Sequence, residues 1–138
     1  MFITLSTTVF AHEVKVSGGY IRETIPGTVI SSAYMRIKNS ANEGMLLVGA
    51  SSNVSPRIEI HEHVMNDGMM RMQQRPSLTI DAESEVALKP SGYHLMMFEL
   101  TQPLKDGELV WLTLHFADHD DHQIQIPVKS IKKMQHHH

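Results

Sequence analysis

The sequence has no cysteine among its 138 residues, and only 6% of it is aromatic. Without a thiol, the chain cannot form a disulfide, a cysteine nucleophile, a zinc–thiolate site or a blue-copper centre. It has no run of basic residues, and its formal net charge is -3 with neutral histidines, so we expect no nucleic-acid partner. No apolar stretch is long enough for a helix that spans a bilayer, so we expect no membrane span.

Histidine and methionine are abundant instead, with ten of each. Thioether sulfur is soft and uncharged, and imidazole is borderline, so together they suit Cu(I). They suit Zn²⁺ less well, and they do not suit Mg²⁺ or Ca²⁺. Such ligands also work where a free thiol would be oxidised, which is the condition of the periplasm.

Short strand-like segments follow one another along the chain, and no segment keeps a helical period. Residues 57–64 alternate between polar and apolar, and Asn66-Asp67-Gly68 predicts a hairpin turn before a partner strand at 69–73. Further strands are predicted at 13–16, 20–22, 32–37, 46–50, 85–89, 93–100, 109–116 and 123–128. This pattern predicts an all-β fold, built as an antiparallel sandwich or barrel.

The length fits a single domain, which we place at residues 12–130. Residues 1–11 are uncharged and end in Val9-Phe10-Ala11, with small residues where a signal peptidase cleaves. They are either a signal-peptide remnant or an ordinary first strand. Residues 131–138 end in three histidines, and this flexible tail is either an expression-tag remnant or native.

Two of the predicted strands place candidate metal ligands on one face. His94 and Met96 are two residues apart, so both side chains point to the same side of strand 93–100. His61 and His63 share the polar face of strand 57–64 in the same way. Each pattern alone is weak, because a methionine on a strand is more often core filler.

The spacing of four residues is more specific. His61, Met72, His94 and Met96 follow the pattern His-x10-Met-x21-His-x-Met. Together with the flanking Leu88-Lys89-Pro90, this pattern resembles the PCu(A)C family of periplasmic copper chaperones, over roughly residues 12–128. The resemblance implies a cupredoxin-like β-sandwich or barrel that binds one Cu(I) through these four residues.

The resemblance also implies a binding protein rather than an enzyme. Family members deliver copper to cytochrome c oxidase, so the implied partner is a copper-accepting respiratory oxidase subunit or a thiol-bearing assembly protein. A periplasmic monomer with an accessible site fits that role. The alternatives are a copper-resistance or storage protein and a structural β domain without selective metal affinity.

Other histidines leave a secondary Cu(II) site open. His115, His119 and His122 alternate with three aspartates, and this group could bind Cu(II) or Zn²⁺ or could be a solvated loop between strands. His63 and Met65 depart from the family pattern. They could be auxiliary ligands, although we expect them to form solvent-facing surface.

Overall fold

The computed structural model describes residues 13–130, which form ten strands. The strands are β1 (Val14–Arg22), β2 (Ser31–Asn39), β3 (Met45–Ser51), β4 (Arg57–Asn66), β5 (Met69–Arg75), β6 (Leu78–Ile80), β7 (Ser84–Leu88), β8 (Tyr93–Phe98), β9 (Leu109–Phe116) and β10 (His122–Lys129). No helix occurs between residues 13 and 130, which confirms the prediction from periodicity. The predicted segments 1–11 and 131–138 lie outside the described residues.

The strands form one hydrogen-bonded path in the order β5-β4-β8-β2-β1-β10-β9-β3-β6, and β7 pairs with β2. Every pair is antiparallel except β1–β10, which is parallel and joins Ile21 to Val128. The all-β, cupredoxin-like fold class is therefore confirmed, with one parallel pair in an otherwise antiparallel sheet.

The core takes buried side chains from strands at both ends of this order, for example Ile60 of β4 and Leu47 of β3. β9 shows the period-two pattern behind it, because Val110, Leu112 and Leu114 are buried while the residues between them are more exposed. Burial of such aliphatic side chains contributes roughly 1.5–3 kcal/mol each to the free energy of unfolding.

β8 is buried on both faces, as is the first half of the neighbouring β2. Leu95 and Met97 belong to the core, whereas His94 and Met96 are buried on the opposite side of the sheet. A strand that only closed the core would leave that second face in water. The sheet face that carries His94 and Met96 is therefore covered, and the covered region is the candidate site.

The predicted hairpin joins β4 to β5 and is confirmed. Asp67 and Gly68 form its two-residue turn, with φ angles of 52° and 76°. Positive φ at both positions is the geometry of a type I′ turn, whose twist matches that of the flanking strands. The turn fixes the β4–β5 register that places Met72.

Two details of the strand prediction are wrong. The segments predicted at 13–16 and 20–22 form one strand, β1, whose pairing with β2 is interrupted by a bulge between Ser17 and Tyr20. Gly18, with a φ of 62°, supplies the backbone geometry of that bulge. The prediction also missed β6, whose three residues are too few to show a period.

Between residues 13 and 130 there is no helix long and apolar enough to cross a bilayer.

Candidate metal centre

The candidate ligands are placed by the register of three neighbouring strands. His61 on β4 is directly opposite His94 on β8. β5 is the other neighbour of β4, and its Met72 is directly opposite His63. Met96 is opposite Glu59 of β4. Directly opposite residues point to the same face, so the three histidines and both methionines share one sheet face.

The two thioethers line a common cavity of about 230 Å³. Part of its wall is the segment between β1 and β2, including Thr28 and Ile30. Met96 is only 6% exposed, whereas Met72 is 50% exposed. The Ser32 hydroxyl lies 3.7 Å from the Met96 sulfur. The cavity thus has a buried sulfur at one side and an accessible one at the other.

The imidazoles form a second cluster on this face, and they do not line that cavity. The ring centroids of His61 and His94 are 5.9 Å apart, and those of His63 and His94 are 5.2 Å apart. Phe98 packs 5.7 Å from His61, and Tyr34 packs 6.2 Å from His94. Of the four predicted ligands, His61 thus packs against His94, and Met72 and Met96 line one cavity.

Three buried ring nitrogens in this cluster have no hydrogen-bond partner. They are Nδ1 of His61, Nδ1 of His63 and Nε2 of His94. An unsatisfied buried polar group costs about 1–3 kcal/mol, so three on one face are unusual for a purely structural cluster. A metal ion bound to such a nitrogen would satisfy it, because the lone pair of a neutral imidazole is a metal ligand.

The other nitrogen of two of these rings is held by the protein. His61 Nε2 lies 2.9 Å from a carboxylate oxygen of Glu59, and His94 Nδ1 lies 3.3 Å from the Gly92 carbonyl oxygen. When these nitrogens donate their protons, Nδ1 of His61 and Nε2 of His94 keep free lone pairs. Hydrogen bonds of this kind fix the tautomer and orientation of metal-binding histidines.

Glu59 is held in turn by Arg57. Arg57 donates to the second Glu59 oxygen at 2.9 Å and to Glu99 at 3.3 Å, and its guanidinium lies 3.9 Å from the centre of the Phe98 ring. The hydrogen bond from His61 is the largest cause of a lowered Glu59 pKa, and the hydrogen bond from Arg57 adds to it. Glu59 therefore remains an ionised acceptor for His61.

Burial also keeps His94 neutral. Desolvation is the main cause of its lowered pKa, and the nearby His63 and His61 lower it further against the opposing hydrogen bond to Gly92. A neutral imidazole is the form that binds a metal. The protonated form would both lose the lone pair and place a charge in a desolvated position.

The expectation that His63 is solvent-facing surface is wrong. Its side chain is half-buried, its ring contacts that of His94, and its Nδ1 is enclosed without a partner. Strand alternation gave the correct face but could not show that this face is covered. Met65 is 68% exposed, as expected of surface. Sequence reasoning also missed Glu59, although its place two residues before His61 on the same face was a usable signal.

The histidines near the β9–β10 turn are engaged differently. His115 contacts Asp121 through Nδ1 at 2.9 Å and Ser51 through Nε2 at 2.8 Å. His119 lies 3.0 Å from the Ala117 carbonyl oxygen and 3.4 Å from Glu43. Both of these rings are hydrogen-bonded, and no three histidine, aspartate or glutamate side chains in the described part of the chain are grouped for a metal, so a Cu(II) site at His115, His119 and His122 has no support here.

No three histidine, aspartate or glutamate side chains in residues 13–130 are grouped so that they could hold a metal ion. The imidazole cluster is therefore not a complete site of the zinc type. A metal held on this face would need the thioether ligands as well, which selects a soft ion.

A family model for LpqE-like lipoproteins matches residues 14–128, which is most of the chain. The chain belongs to the LpqE-like family. The LpqE-like chain is similar to the protein Lxx21020 of Leifsonia xyli subsp. xyli. It is 32% identical over 120 residues, covering 86% of this chain and 71% of that protein.

Solved structures extend the comparison. The copper-bound PCuAC domain of PmoF2 matches the LpqE-like chain with a TM-score of 0.74 and 19% identity, over 87% of this chain and 95% of that domain. Apo-DR1885 from Deinococcus radiodurans matches with a TM-score of 0.66 and 28% identity, over 94% and 89%. Its CuI form matches with a TM-score of 0.63 and 25% identity, over 91% and 80%. Together with the family match, these similarities confirm the predicted resemblance to the PCu(A)C family.

Proposed function

We propose that this LpqE-like protein is a periplasmic copper chaperone that binds one Cu(I) through His61, Met72, His94 and Met96. One observation carries the proposal. The buried ring nitrogens of His61 and His94 lack partners on the same sheet face that carries both thioethers. The resemblance to DR1885, which has a CuI form, supports the choice of metal.

The donor set suits Cu(I) for a physical reason. All four ligands are neutral, and two are soft sulfurs, so they match a soft monovalent ion better than a divalent one. The hydrogen bonds of His61 to Glu59 and of His94 to Gly92 leave one lone pair on each ring for the metal. Only the imidazoles compete with protons, because a thioether does not titrate.

Transfer rather than catalysis is the proposed activity. Met72 is half exposed at the open side of the cavity, while Met96 is buried. A partner can therefore displace the outer thioether first and share the ion before the inner ligands release it. A thiol-bearing assembly protein or the copper-accepting subunit of cytochrome c oxidase is the proposed partner, and the chaperone is proposed to act as a monomer.

A Cu(I) competition titration against a colorimetric chelator tests this proposal. The 138-residue chain is used with His136, His137 and His138 replaced by Ala, so that the tail cannot bind the metal. This protein is compared with the same chain carrying Met72→Leu plus Met96→Leu. We expect one-to-one binding that the double variant loses.

The matched control is Met69→Leu plus Met97→Leu. Met69 is on the same strand as Met72, and Met97 is on the same strand as Met96, but both control side chains point to the other face of the sheet. Met69 is 60% exposed and Met97 is fully buried. The control should bind Cu(I) as the parent does. Equal Cu(I) affinity in both double variants would contradict the proposed thioether ligands.

A further inference from the structure

β4 carries a second histidine whose ring lies at least as close to the site as that of His61. The ring centroid of His63 is 5.2 Å from that of His94, compared with 5.9 Å for His61. Nδ1 of His63 is buried without a hydrogen-bond partner, which is the same feature that marks the proposed ligands. Nothing in the proposed ligand set uses this nitrogen.

The ring separations allow either histidine to share an ion with His94. Two imidazoles that bind one ion at about 2.0–2.1 Å place their ring centroids no more than about 6.5 Å apart. Both measured separations are below that limit. No three acidic or histidine side chains in the described region are grouped for a metal. His61 and His63 would therefore bind the ion with His94 one at a time and not together.

The two histidines differ in which thioether they adjoin. His63 is directly opposite Met72, which is 50% exposed. His61 is two residues from Glu59 on β4, and Glu59 is directly opposite Met96. Met96 is only 6% exposed. His94 is common to both arrangements. The face therefore offers an inner position next to the buried thioether and an outer position next to the accessible one.

We propose that His63 is an alternative copper ligand, which replaces His61 and moves Cu(I) outwards towards Met72. This inference rests on the proposed function. In the exchange, the bond from copper to Nδ1 of His61 breaks, and a bond to Nδ1 of His63 forms. Each nitrogen uses a lone pair, so copper remains Cu(I), and neither a proton nor an electron is transferred.

A double-mutant comparison by Cu(I) competition titration tests the exchange, again in the 138-residue chain with His136, His137 and His138 replaced by Ala. We expect His61→Gln to keep one-to-one binding with a loss of affinity of no more than about tenfold, because His63 takes over. His61→Gln combined with His63→Gln should lose at least about tenfold more. Combined with His119→Gln instead, it should match His61→Gln alone, because His119 lies outside the cluster.

The result that would overturn the inference is a loss in His61→Gln as large as that in the His61/His63 double variant. The parent would then still bind Cu(I), so the proposed function would stand without an alternative ligand. Absence of one-to-one Cu(I) binding in the parent would instead overturn the proposed function and the inference together.

A spectroscopic measurement covers the case in which the double variant does not fold. In ¹⁵N-labelled His61→Gln protein, addition of Cu(I) should shift the Nδ1 resonance of His63 while leaving those of His115 and His119 in place. An unshifted His63 resonance in copper-loaded protein would overturn the inference. His63→Gln alone should also release Cu(I) to a chelator several-fold more slowly, because it lacks the outer position.

Discussion

Substitution of Glu59 gives a sharp test of how the site is preorganised. Its carboxylate accepts from His61 Nε2 at 2.9 Å and from Arg57 at 2.9 Å, so it holds the His61 tautomer that presents Nδ1 to the metal. In Glu59→Gln the amide offers one acceptor oxygen for these two donors, and its charge is lost. Removal of such a supporting carboxylate lowers metal affinity by about 10–100-fold, which is about 1.4–2.7 kcal/mol.

Because glutamine retains one acceptor, we expect the loss in Glu59→Gln to be near the lower limit of that range, with Cu(I) bound about tenfold more weakly. The assay is a competition titration with a chelator, accompanied by urea unfolding to show that the variant is folded. Glu43→Gln is the matched control, since Glu43 also contacts a histidine, His119, but outside the site. Unchanged Cu(I) affinity in Glu59→Gln, or an equal loss in Glu43→Gln, would refute the role given to Glu59.

Three further predictions concern stability and are measured by urea unfolding of the metal-free protein. Folding lowers the pKa of His94 from its ordinary value of 6.5, so at lower pH the unfolded chain binds the proton more readily than the folded protein. The contribution of His94 to the free energy of unfolding is therefore present above pH 6.5 and is lost as the pH falls. A pH dependence of this free energy that His94→Leu leaves unchanged would contradict the prediction. Leu47→Ala should cost about 2–5 kcal/mol because Leu47 is fully buried, whereas the neighbouring, 43% exposed Val48→Ala should cost at most about 0.5 kcal/mol; similar losses in both would be inconsistent with the described core. Gly68→Ala should cost about 1–2 kcal/mol, because the added Cβ meets no atom but the φ of 76° is strained for alanine; an unchanged midpoint would argue against the turn.

Local patterns in the sequence predicted much of the fold. Alternation identified most strands, and Asp67-Gly68 identified the hairpin, because a two-residue turn with positive φ has few compatible sequences. The bulge in β1 and the short β6 escaped prediction. A bulge shifts the register without changing composition, and three residues cannot show a period.

The candidate site was predictable only in part. Periodicity places His94 and Met96 on one face, but it does not show that β4 pairs with β8 in the register that sets His61 against His94. That pairing joins residues far apart in the chain, and only the assembled sheet determines it. The burial of His63 was missed for a related reason. Alternation shows which side chains share a face, whereas packing of distant segments decides whether that face is covered.

Copper K-edge X-ray absorption of the Cu(I)-loaded protein, with His136, His137 and His138 replaced by Ala, tests most directly whether one ion is held by imidazole and thioether together. We expect nitrogen neighbours at about 2.0 Å and sulfur neighbours at about 2.3 Å, by analogy with the imidazole and sulfur ligands of Zn²⁺. The sulfur contribution should disappear in Met72→Leu plus Met96→Leu and persist in Met69→Leu plus Met97→Leu. A spectrum with only nitrogen and oxygen neighbours, or sulfur that survives loss of Met72 and Met96, would contradict the central claim.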